Sequence, residues 1–317
     1  MVKKIWIDCD PGHDDALAIL TALAYPEKLK LLGVSTIGGN ESLDKVTNNA
    51  KNILHLLNAK VPLIPGERGP LVKSLRSAPE AHGESGMDGI EFVENDYPIS
   101  KTNLIEYWYQ LLIDSIEPIT MVAIGPLTNL ALLLKTYPEI KTKIEAICLM
   151  GGGIDHGNIT PAAEFNIYVD PEAAQIVYQS GIPIVMAGLD VTEKSYLTRL
   201  EIDQLKQHGS ISQKIYGLLD FYNKSGRQFG FEVSPMHDLC TIVYLLNPEV
   251  FNGKNYSIEI VTDEGLTRGM TLADLRKKPV VKNETFVLLE SDREKYVTYL
   301  MESLAYFDQK VSMKEGQ

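Results

Sequence analysis

Short apolar runs rich in strand-forming residues alternate with stretches of helical periodicity along most of the chain. The pattern predicts strands over 5–7, 31–36, 61–64, 120–124, 144–150 and 183–189. It predicts helices from about residue 15 to just before Pro26 and over 43–57. The 61–64 strand is short and weakened by Pro62, which cannot donate to a ladder. This alternation indicates an α/β fold with a mostly parallel, Rossmann-like open sheet and helices on both faces.

The order changes near the C terminus, where strands over 256–262 and 279–288 precede a last helix over about 293–307. This part either extends the sheet or forms a small lobe. We find no linker or repeat, so we expect a single domain over 1–317. Two stretches, 65–100 and 223–235, lack regular periodicity, and irregular segments of this length are often functional loops.

Four carboxylates fall within eight residues, Asp8-Cys-Asp-Pro-Gly-His-Asp-Asp15, directly after the first predicted strand. Ligands bind at that end of an α/β sheet. One aspartate could cap the following helix, but a cap needs one carboxylate and not four. Clustered like charges repel unless a cation compensates them, and a flexible all-oxygen site favours Ca²⁺ over Mg²⁺.

Composition narrows the class of protein further. The formal net charge of −12 argues against a nucleic-acid polymer as partner. Three widely spaced cysteines predict reduced thiols rather than a disulfide or zinc site. Neither a signal peptide nor an apolar membrane-spanning stretch is apparent, so we expect a cytoplasmic protein that does not enter the membrane.

The acidic motif resembles the signature of the inosine/uridine-preferring nucleoside hydrolase family. Six further landmarks follow in the family's order across nearly the whole chain. They are Gly39-Asn40, His82-Gly-x-x-Gly-Met-Asp-Gly89, Gly125-Pro-Leu-Thr-Asn129, Gly157-Asn158 with Ala163-Glu-Phe-Asn166, Asp190-Val-Thr192 and His237-Asp238. The resemblance implies calcium-dependent hydrolysis of ribonucleosides to ribose and free base.

The resemblance also implies roles for individual residues. Asp10, Asp15, Asp238 and the backbone carbonyl of Ile124 would bind Ca²⁺, and Asp10 would take a proton from a metal-bound water. The expected ribose ligands are Asp14, Asn40, Glu164 and Asn166, with Asn158 at the 5′-hydroxyl and Met150 beneath the sugar. Family members imply a homotetramer or homodimer.

Two histidines are candidates for contact with the nucleobase. His237, next to Asp238, is the best candidate for protonating or recognising the leaving base. His82 occupies the position seen in members that accept pyrimidine nucleosides. Purine-specific members stack the base between tryptophans, whereas Trp6 and Trp108 match no such role. We therefore expect uridine and cytidine as substrates, with inosine as a further candidate; a purine-preferring or broad specificity is the alternative. The 223–235 segment, with Arg227, Gln228, Phe229 and Phe231, is expected to contribute to the base pocket.

Several polar residues have structural alternatives. Asn40 could simply form a turn. Thr128 or Asn129 could cap a helix, and we favour this structural role for these two residues. A structural hydrogen bond is favoured for Asp190, and an orienting role behind the metal ligands for Asp8. His13, where many members have an apolar residue, is expected to take no part in catalysis.

Two other classes of protein share part of this pattern. Haloacid-dehalogenase-type phosphatases also begin with Asp-x-Asp, but they need Thr or Val at the place of Gly12, and the Asp14-Asp15 pair would repel a phosphate. A non-catalytic nucleoside-binding protein would be expected to have lost Asp10 or a metal ligand, yet each position is filled. The hydrolase is favoured over both.

Overall fold

The computed structural model describes residues 2–228, 230–277 and 284–315. Its centre is an eight-stranded sheet in the order β3-β2-β1-β4-β5-β6-β12-β9, parallel throughout except for β9 at one edge. Two antiparallel pairs, β7-β8 and β10-β11, lie outside this sheet. The strands are β1 (Lys3–Cys9), β2 (Leu29–Thr36), β3 (Leu63–Pro65), β4 (Ile119–Ala123), β5 (Ile144–Met150), β6 (Ile184–Ala187), β7 (Tyr196–Leu197), β8 (Ser234–Pro235), β9 (Phe251–Tyr256), β10 (Ile258–Ile260), β11 (Thr271–Ala273) and β12 (Thr285–Ser291).

Helices follow most of the sheet strands. They are α1 (His13–Ala24), α2 (Leu43–Leu56), α3 (Pro79–His82), α4 (Leu104–Asp114), α5 (Thr128–Thr136), α6 (Phe165–Val169), α7 (Pro171–Tyr178), α8 (Leu189–Thr192), α9 (Arg199–Gln204), α10 (Ser210–Gln228), α11 (Leu239–Leu246) and α12 (Arg293–Glu315). Three short 3₁₀ segments cover Pro138–Lys143, Leu205–Gln207 and Pro248–Val250. Within the described ranges, no helix is both long and apolar enough to span a membrane.

Apolar side chains cover both faces of the sheet. Ile5 and Ile7 of β1 belong to a cluster shared with α1, α11 and α12, whereas Trp6 between them packs in a second cluster with α4, α5 and α7. Successive side chains of a strand point to opposite faces, so a central parallel strand is apolar on both. The predicted α/β fold with helices on both faces is confirmed.

The sheet order reverses beside β1. From β1 the chain moves outward through β2 and β3, then returns to β4 on the other side of β1. Connections leaving β1 and β4 therefore diverge, and a crevice opens at the carboxyl ends of these two strands, which is where ligands bind in open α/β sheets. The acidic motif begins at Asp8 and Cys9, the last residues of β1, and thus lies at this crevice.

The C-terminal region extends the sheet instead of forming a lobe, since β12 pairs with β6 and β9 pairs with β12. The strand predicted over 256–262 is wrong as a single element. It is divided between the end of β9 and the separate strand β10. β9 itself was not predicted, because an edge strand with the sequence Phe-Asn-Gly-Lys-Asn-Tyr has almost no apolar alternation. Of the strand predicted over 279–288, residues 279–283 lie outside the described residues.

The irregular stretch predicted over 223–235 is wrong for its first six residues, because α10 continues to Gln228. The apolar positions Ile211, Ile215, Leu218 and Leu219 give way to buried polar residues such as Asn223, so apolar periodicity ends before the helix does. The last helix likewise runs to Glu315, beyond the predicted end. By contrast, 65–100 is irregular as predicted, apart from the end of β3, the short helix α3 and an isolated bridge at Ile99.

Candidate active site

Three aspartates from distant parts of the chain meet at the crevice. Carboxylate oxygens of Asp14, Asp15 and Asp238 lie within 4.8 Å of one another, and all three side chains are buried. Asp14 and Asp15 are in the first turn of α1, and Asp238 directly precedes α11. These two helices pack against each other, so the contact is built into the core of the fold.

Asp10 lies beside this cluster, in the loop between β1 and α1. Its Oδ2 accepts a 2.7 Å hydrogen bond from the backbone N–H of Asn40, and the Asn40 amide donates to the Asp10 carbonyl. The backbone at Gly39 packs so tightly against this carboxylate that a Cβ there would lie 2.0 Å from Oδ2. The other oxygen, Oδ1, is buried and has no hydrogen-bond partner among the described residues. A buried carboxylate oxygen without a protein partner is available to bind a cation or a ligand.

Asp15 combines two roles. Its Oδ2 accepts from the backbone N–H of Gly12 at 2.8 Å, and its Oδ1 accepts from the N–H of Asp10 at 3.3 Å. The first bond is a helix-capping contact, so the capping alternative holds for this one carboxylate. Neither bond explains the burial of Asp14 and Asp238 next to it.

The electrostatics of the cluster are unfavourable without a cation. Burial, followed by the charge of Asp14, raises the pKa of Asp15 to about 7. Burial also raises the pKa of Asp10, with a further contribution from Asp15, and that of Asp238, with a further contribution from Asp14. A divalent cation would remove this penalty, and a donor set made only of oxygens suits a hard ion. The residues present therefore fit a metal site.

The loops after β4 and β5 form the opposite wall. The side-chain amide of Asn166 donates to the carbonyls of Ile124 and Met150, each at 3.2 Å, and so ties the ends of these strands together. Glu164 Oε2 accepts from the N–H of Gly152 at 2.8 Å, and burial raises the pKa of Glu164 to about 7. Asn158 is exposed at the rim, and its Oδ1 accepts from the N–H of Phe165.

Two of the predicted histidines face the acidic cluster. Nδ1 of His237 lies 2.8 Å from Thr192 Oγ1, and burial lowers the pKa of this ring. Burial also lowers the pKa of His82, and nearby Asp14 opposes this shift. The charge of His237 lowers the pKa of His82 further.

Other predicted positions serve the scaffold. The capping role favoured for Thr128 and Asn129 is wrong, because α5 already begins at Thr128 and the N-cap position falls on Leu127, whose side chain makes no capping hydrogen bond. Instead, the Thr128 hydroxyl donates to Asp170, and the Asn129 amide donates to Asp8 at 2.9 Å. This bond across the sheet, together with one from Ser35, satisfies Oδ1 of Asp8 and opposes the rise of its pKa to about 6 that burial causes.

Further structural expectations are met. Asp190 accepts from the backbone N–H groups of Ile154 and Asp155, as expected for a structural hydrogen bond. All three cysteines are free, as predicted, and all three are buried. Trp6 and Trp108 are fully buried in the core and pack edge to face, so neither can stack on a bound base.

Helix α10 brings residues to the site that the sequence pattern did not reveal. Tyr222 stacks with His82, and burial followed by the charge of Asp14 raises the pKa of its hydroxyl. Arg227 and Phe231, both expected near the base, line a shallow cavity together with Glu232. Phe229, also expected there, lies outside the described residues. Tyr222 lies in the part of α10 beyond residue 219, which the sequence pattern did not predict as helix.

A buried carboxylate cluster at the switch point of a parallel sheet, with amides and histidines around it, is an arrangement suited to binding a cation and a small polar ligand. The family model of the inosine-uridine preferring nucleoside hydrolases matches residues 5–298. The chain belongs to this family, and the predicted class of enzyme, a glycosidase acting on nucleosides, is confirmed.

Similar proteins carry related names. The chain is 42% identical over 311 residues to the pyrimidine-specific ribonucleoside hydrolase RihA of Enterobacter sp. (strain 638), covering 97% of this chain and 99% of that protein. Among solved structures, a plant nucleoside hydrolase, PpNRh1, has a TM-score of 0.90 at 31% identity, with 96% of this chain and 99% of that chain covered. A purine-preferring ribonucleoside hydrolase from Gardnerella vaginalis has a TM-score of 0.89 at 29% identity, with the same coverage.

Proposed function

We propose that this chain is a calcium-dependent ribonucleoside hydrolase that favours pyrimidine nucleosides and releases ribose and the free base. The observation that carries this proposal is the buried cluster of Asp14, Asp15 and Asp238 with the unpartnered oxygen of Asp10 beside it. When these carboxylates are ionised together they repel one another, and a bound cation would offset that repulsion. The cluster lies where open α/β sheets bind ligands.

The metal ligands proposed are Asp10, Asp15, Asp238 and the carbonyl of Ile124. When bound, the cation supplies positive charge that lowers the pKa of an attacking water and keeps the carboxylates ionised. Asp10 then accepts the proton of that water as general base. The Asn40 N–H fixes one oxygen of Asp10, which leaves the unpartnered oxygen for this task.

The ribose is held by polar groups from three loops. We assign Asp14, Asn40, Glu164 and Asn166 to its hydroxyls, Asn158 to the 5′-hydroxyl and Met150 to the face below the ring. Glu164 is fixed by backbone donors, and Asn166 by two carbonyls and the Met150 sulfur, so both are preorganised. Rigid polar groups around the sugar favour a flattened, oxocarbenium-like transition state over the ground-state ring.

We assign the interactions with the departing base to His237 and His82. His237 is the candidate acid that protonates the base as the bond to C1′ breaks, because it lies next to Asp238 and is partly exposed. His82 contacts the base. Preference for pyrimidines is supported by the buried tryptophans and by the name of the 42% identical relative. A purine-preferring enzyme is the second candidate, favoured by the name of the Gardnerella protein.

A panel of specificity constants tests this proposal. Purified protein with Ca²⁺ is assayed on uridine, cytidine, inosine, adenosine and guanosine, with reducing sugar as the readout. We expect the highest kcat/KM for uridine or cytidine. Higher values for purine nucleosides would favour the second candidate, and tight binding without turnover would indicate a binding protein of the same fold. A homotetramer or homodimer, checked by light scattering, and a cytoplasmic location are further parts of the proposal.

A further inference from the structure

His13 has no part in the chemistry described so far, yet its ring stacks on three other rings near the site. It is the first residue of α1 and is fully buried. Its ring stacks on Phe221 and Tyr222 of α10, with centroids 5.4 and 5.3 Å away, and on His82 at 5.5 Å. The packing is tight enough that a Cβ on the preceding Gly12 would lie 2.5 Å from Nδ1 of His82.

The two hydrogen-bond contacts of His13 determine where its proton lies. Nε2 is 2.8 Å from the backbone carbonyl of Asp88. A carbonyl can only accept, so Nε2 of His13 carries the proton. In a neutral ring, Nδ1 then has a free lone pair. Nδ1 of His13 is 3.2 Å from Nδ1 of His82, and His82 must therefore be the donor in this pair.

The surroundings favour the neutral form of His13. Aromatic faces cover the fully buried ring and its Nε2 contacts an uncharged backbone carbonyl, surroundings in which a charged ring is costly. The Asp88 carbonyl is held in place by its own loop, where the Asp88 side chain accepts from the backbone N–H groups of Glu84 and Ser85. The acceptor that sets the proton on His13 is thus fixed by the fold.

The proton position on His13 determines the tautomer of His82. If its Nδ1 carries the proton, its Nε2 has the lone pair, and that atom has no hydrogen-bond partner among the described residues. The ring borders the site, because a Cβ on Gly12 would lie 2.5 Å from Nδ1 of His82 and 3.2 Å from the Asn40 amide nitrogen, which itself donates to the Asp10 carbonyl. We propose that His13 is a positioning residue that holds His82 in the Nδ1–H tautomer, so that Nε2 accepts a hydrogen bond from an N–H or O–H group of the bound nucleoside. This inference deepens the proposed function and rests on it for the identity of the ligand.

Two near-isosteric variants separate the contacts of His13. His13→Asn places an amide oxygen near the position of Nδ1, where it can still accept from His82, but loses the bond to Asp88. His13→Gln places an amide N–H near the position of Nε2, where it can still donate to Asp88, but loses the acceptor for His82. Packing changes are similar in both variants, so a difference between them reports on the tautomer.

The direct test is the tautomer of His82 in the full-length protein with Ca²⁺. The chain has six histidines, so selective ¹⁵N-histidine labelling gives a sparse spectrum, and His82→Gln assigns the signal. Two-bond ¹H–¹⁵N correlations distinguish the tautomers. We expect Nδ1–H for His82 in the wild type and in His13→Asn, and a shift toward Nε2–H in His13→Gln. Nε2–H in the wild type, as a charged His13 would produce, or an unchanged tautomer in His13→Gln, would overturn the proposal.

Kinetics supply the second readout. Loss of one neutral hydrogen bond to the nucleoside is worth about tenfold in kcat/KM. We expect that loss for His13→Gln, and less than about threefold for His13→Asn. Equal losses in both variants would reduce His13 to a packing residue. The spectrum needs no turnover, so a wild-type protein with the expected tautomers but no nucleoside hydrolysis would refute the proposed function and not the tautomer.

Discussion

Replacing Asp10 with asparagine separates chemistry from folding at this site. The variant keeps the shape of the side chain, and its amide oxygen can still accept from the Asn40 N–H that lies 2.7 Å from Oδ2. It removes the carboxylate whose Oδ1 has no partner among the described residues, which is the group assigned as general base. Folding contacts are therefore largely kept while the base is lost.

The expected magnitude follows from the role. General-base catalysis contributes about 10²–10⁴-fold, so kcat on uridine should fall by that factor, equivalent to about 3–5 kcal/mol. The stability of the metal-free protein should increase or stay the same. Removing one charge from beside Asp15 relieves a repulsion that raises the pKa of Asp10, so the metal-free variant should melt no lower than the metal-free wild type.

Asp170→Asn is the matched control, a buried aspartate with a structural role. Its oxygens accept from the Thr128 hydroxyl at 2.6 Å and from the N–H groups of Leu71 and Ala173. An amide cannot satisfy all three donors, and a lost hydrogen bond to a charged group costs about 1.5–3 kcal/mol. With an unfolding entropy of roughly 0.7 kcal/mol per kelvin for a chain of this length, Tm should fall by about 2–4 °C. Its kcat should stay near that of the wild type.

The assays are initial rates of uracil release at saturating uridine, with melting curves on the same protein in chelator. Wild-type-like kcat in Asp10→Asn would refute the general-base assignment. A drop in Tm as large as that of Asp170→Asn, together with slow turnover, would instead indicate that Asp10 mainly supports the fold.

Three other predictions test the neighbouring assignments. His237→Ala should slow uridine hydrolysis by about 10²-fold or more but a nitrophenyl riboside much less, because an activated leaving group needs no acid; equal losses on both substrates would argue against leaving-group protonation. The 2′-deoxyribonucleosides should be very poor substrates, because the proposed cation would lose a hydroxyl ligand, and comparable rates would contradict that contact. The increase in Tm caused by Ca²⁺ should be larger at pH 8 than at pH 5.5. The cation binds ionised Asp15, whose pKa is about 7 without metal, so protons compete increasingly as the pH falls through that value. For the same reason, the metal-free protein should lose stability as the pH rises from the ordinary aspartate pKa toward 7, and a Ca²⁺ effect independent of pH would contradict this account.

The parallel core of the fold was predictable because its strands are apolar on both faces and lie between helices with clear periodicity. β1 shows this most plainly, with Ile5 and Ile7 in one cluster and Trp6 in the other. Edge strand β9 was not predictable, since Asn252, Gly253 and Lys254 show no alternation.

The acidic residues of the site were predictable for a different reason, namely that Asp10, Asp14 and Asp15 are adjacent in sequence. The contact of Asp238 with Asp15 could be predicted only from the family resemblance, because it depends on the packing of α1 on α11. The contacts of His13 could not be predicted from local sequence. They depend on the Asp88 carbonyl and on α10, whose last turns carry too few apolar residues to be recognised as helix.

Reactivation of metal-stripped protein by Ca²⁺ tests the central claim most directly, because it joins the buried carboxylates to hydrolysis in one titration. The rate of uracil release from uridine should be negligible in chelator. On adding Ca²⁺ at protein concentrations well above the dissociation constant, the rate should rise linearly and level off at one equivalent per chain. Full activity in chelator, or a rate unrelated to bound Ca²⁺, would contradict the claim that this cluster is the catalytic metal site.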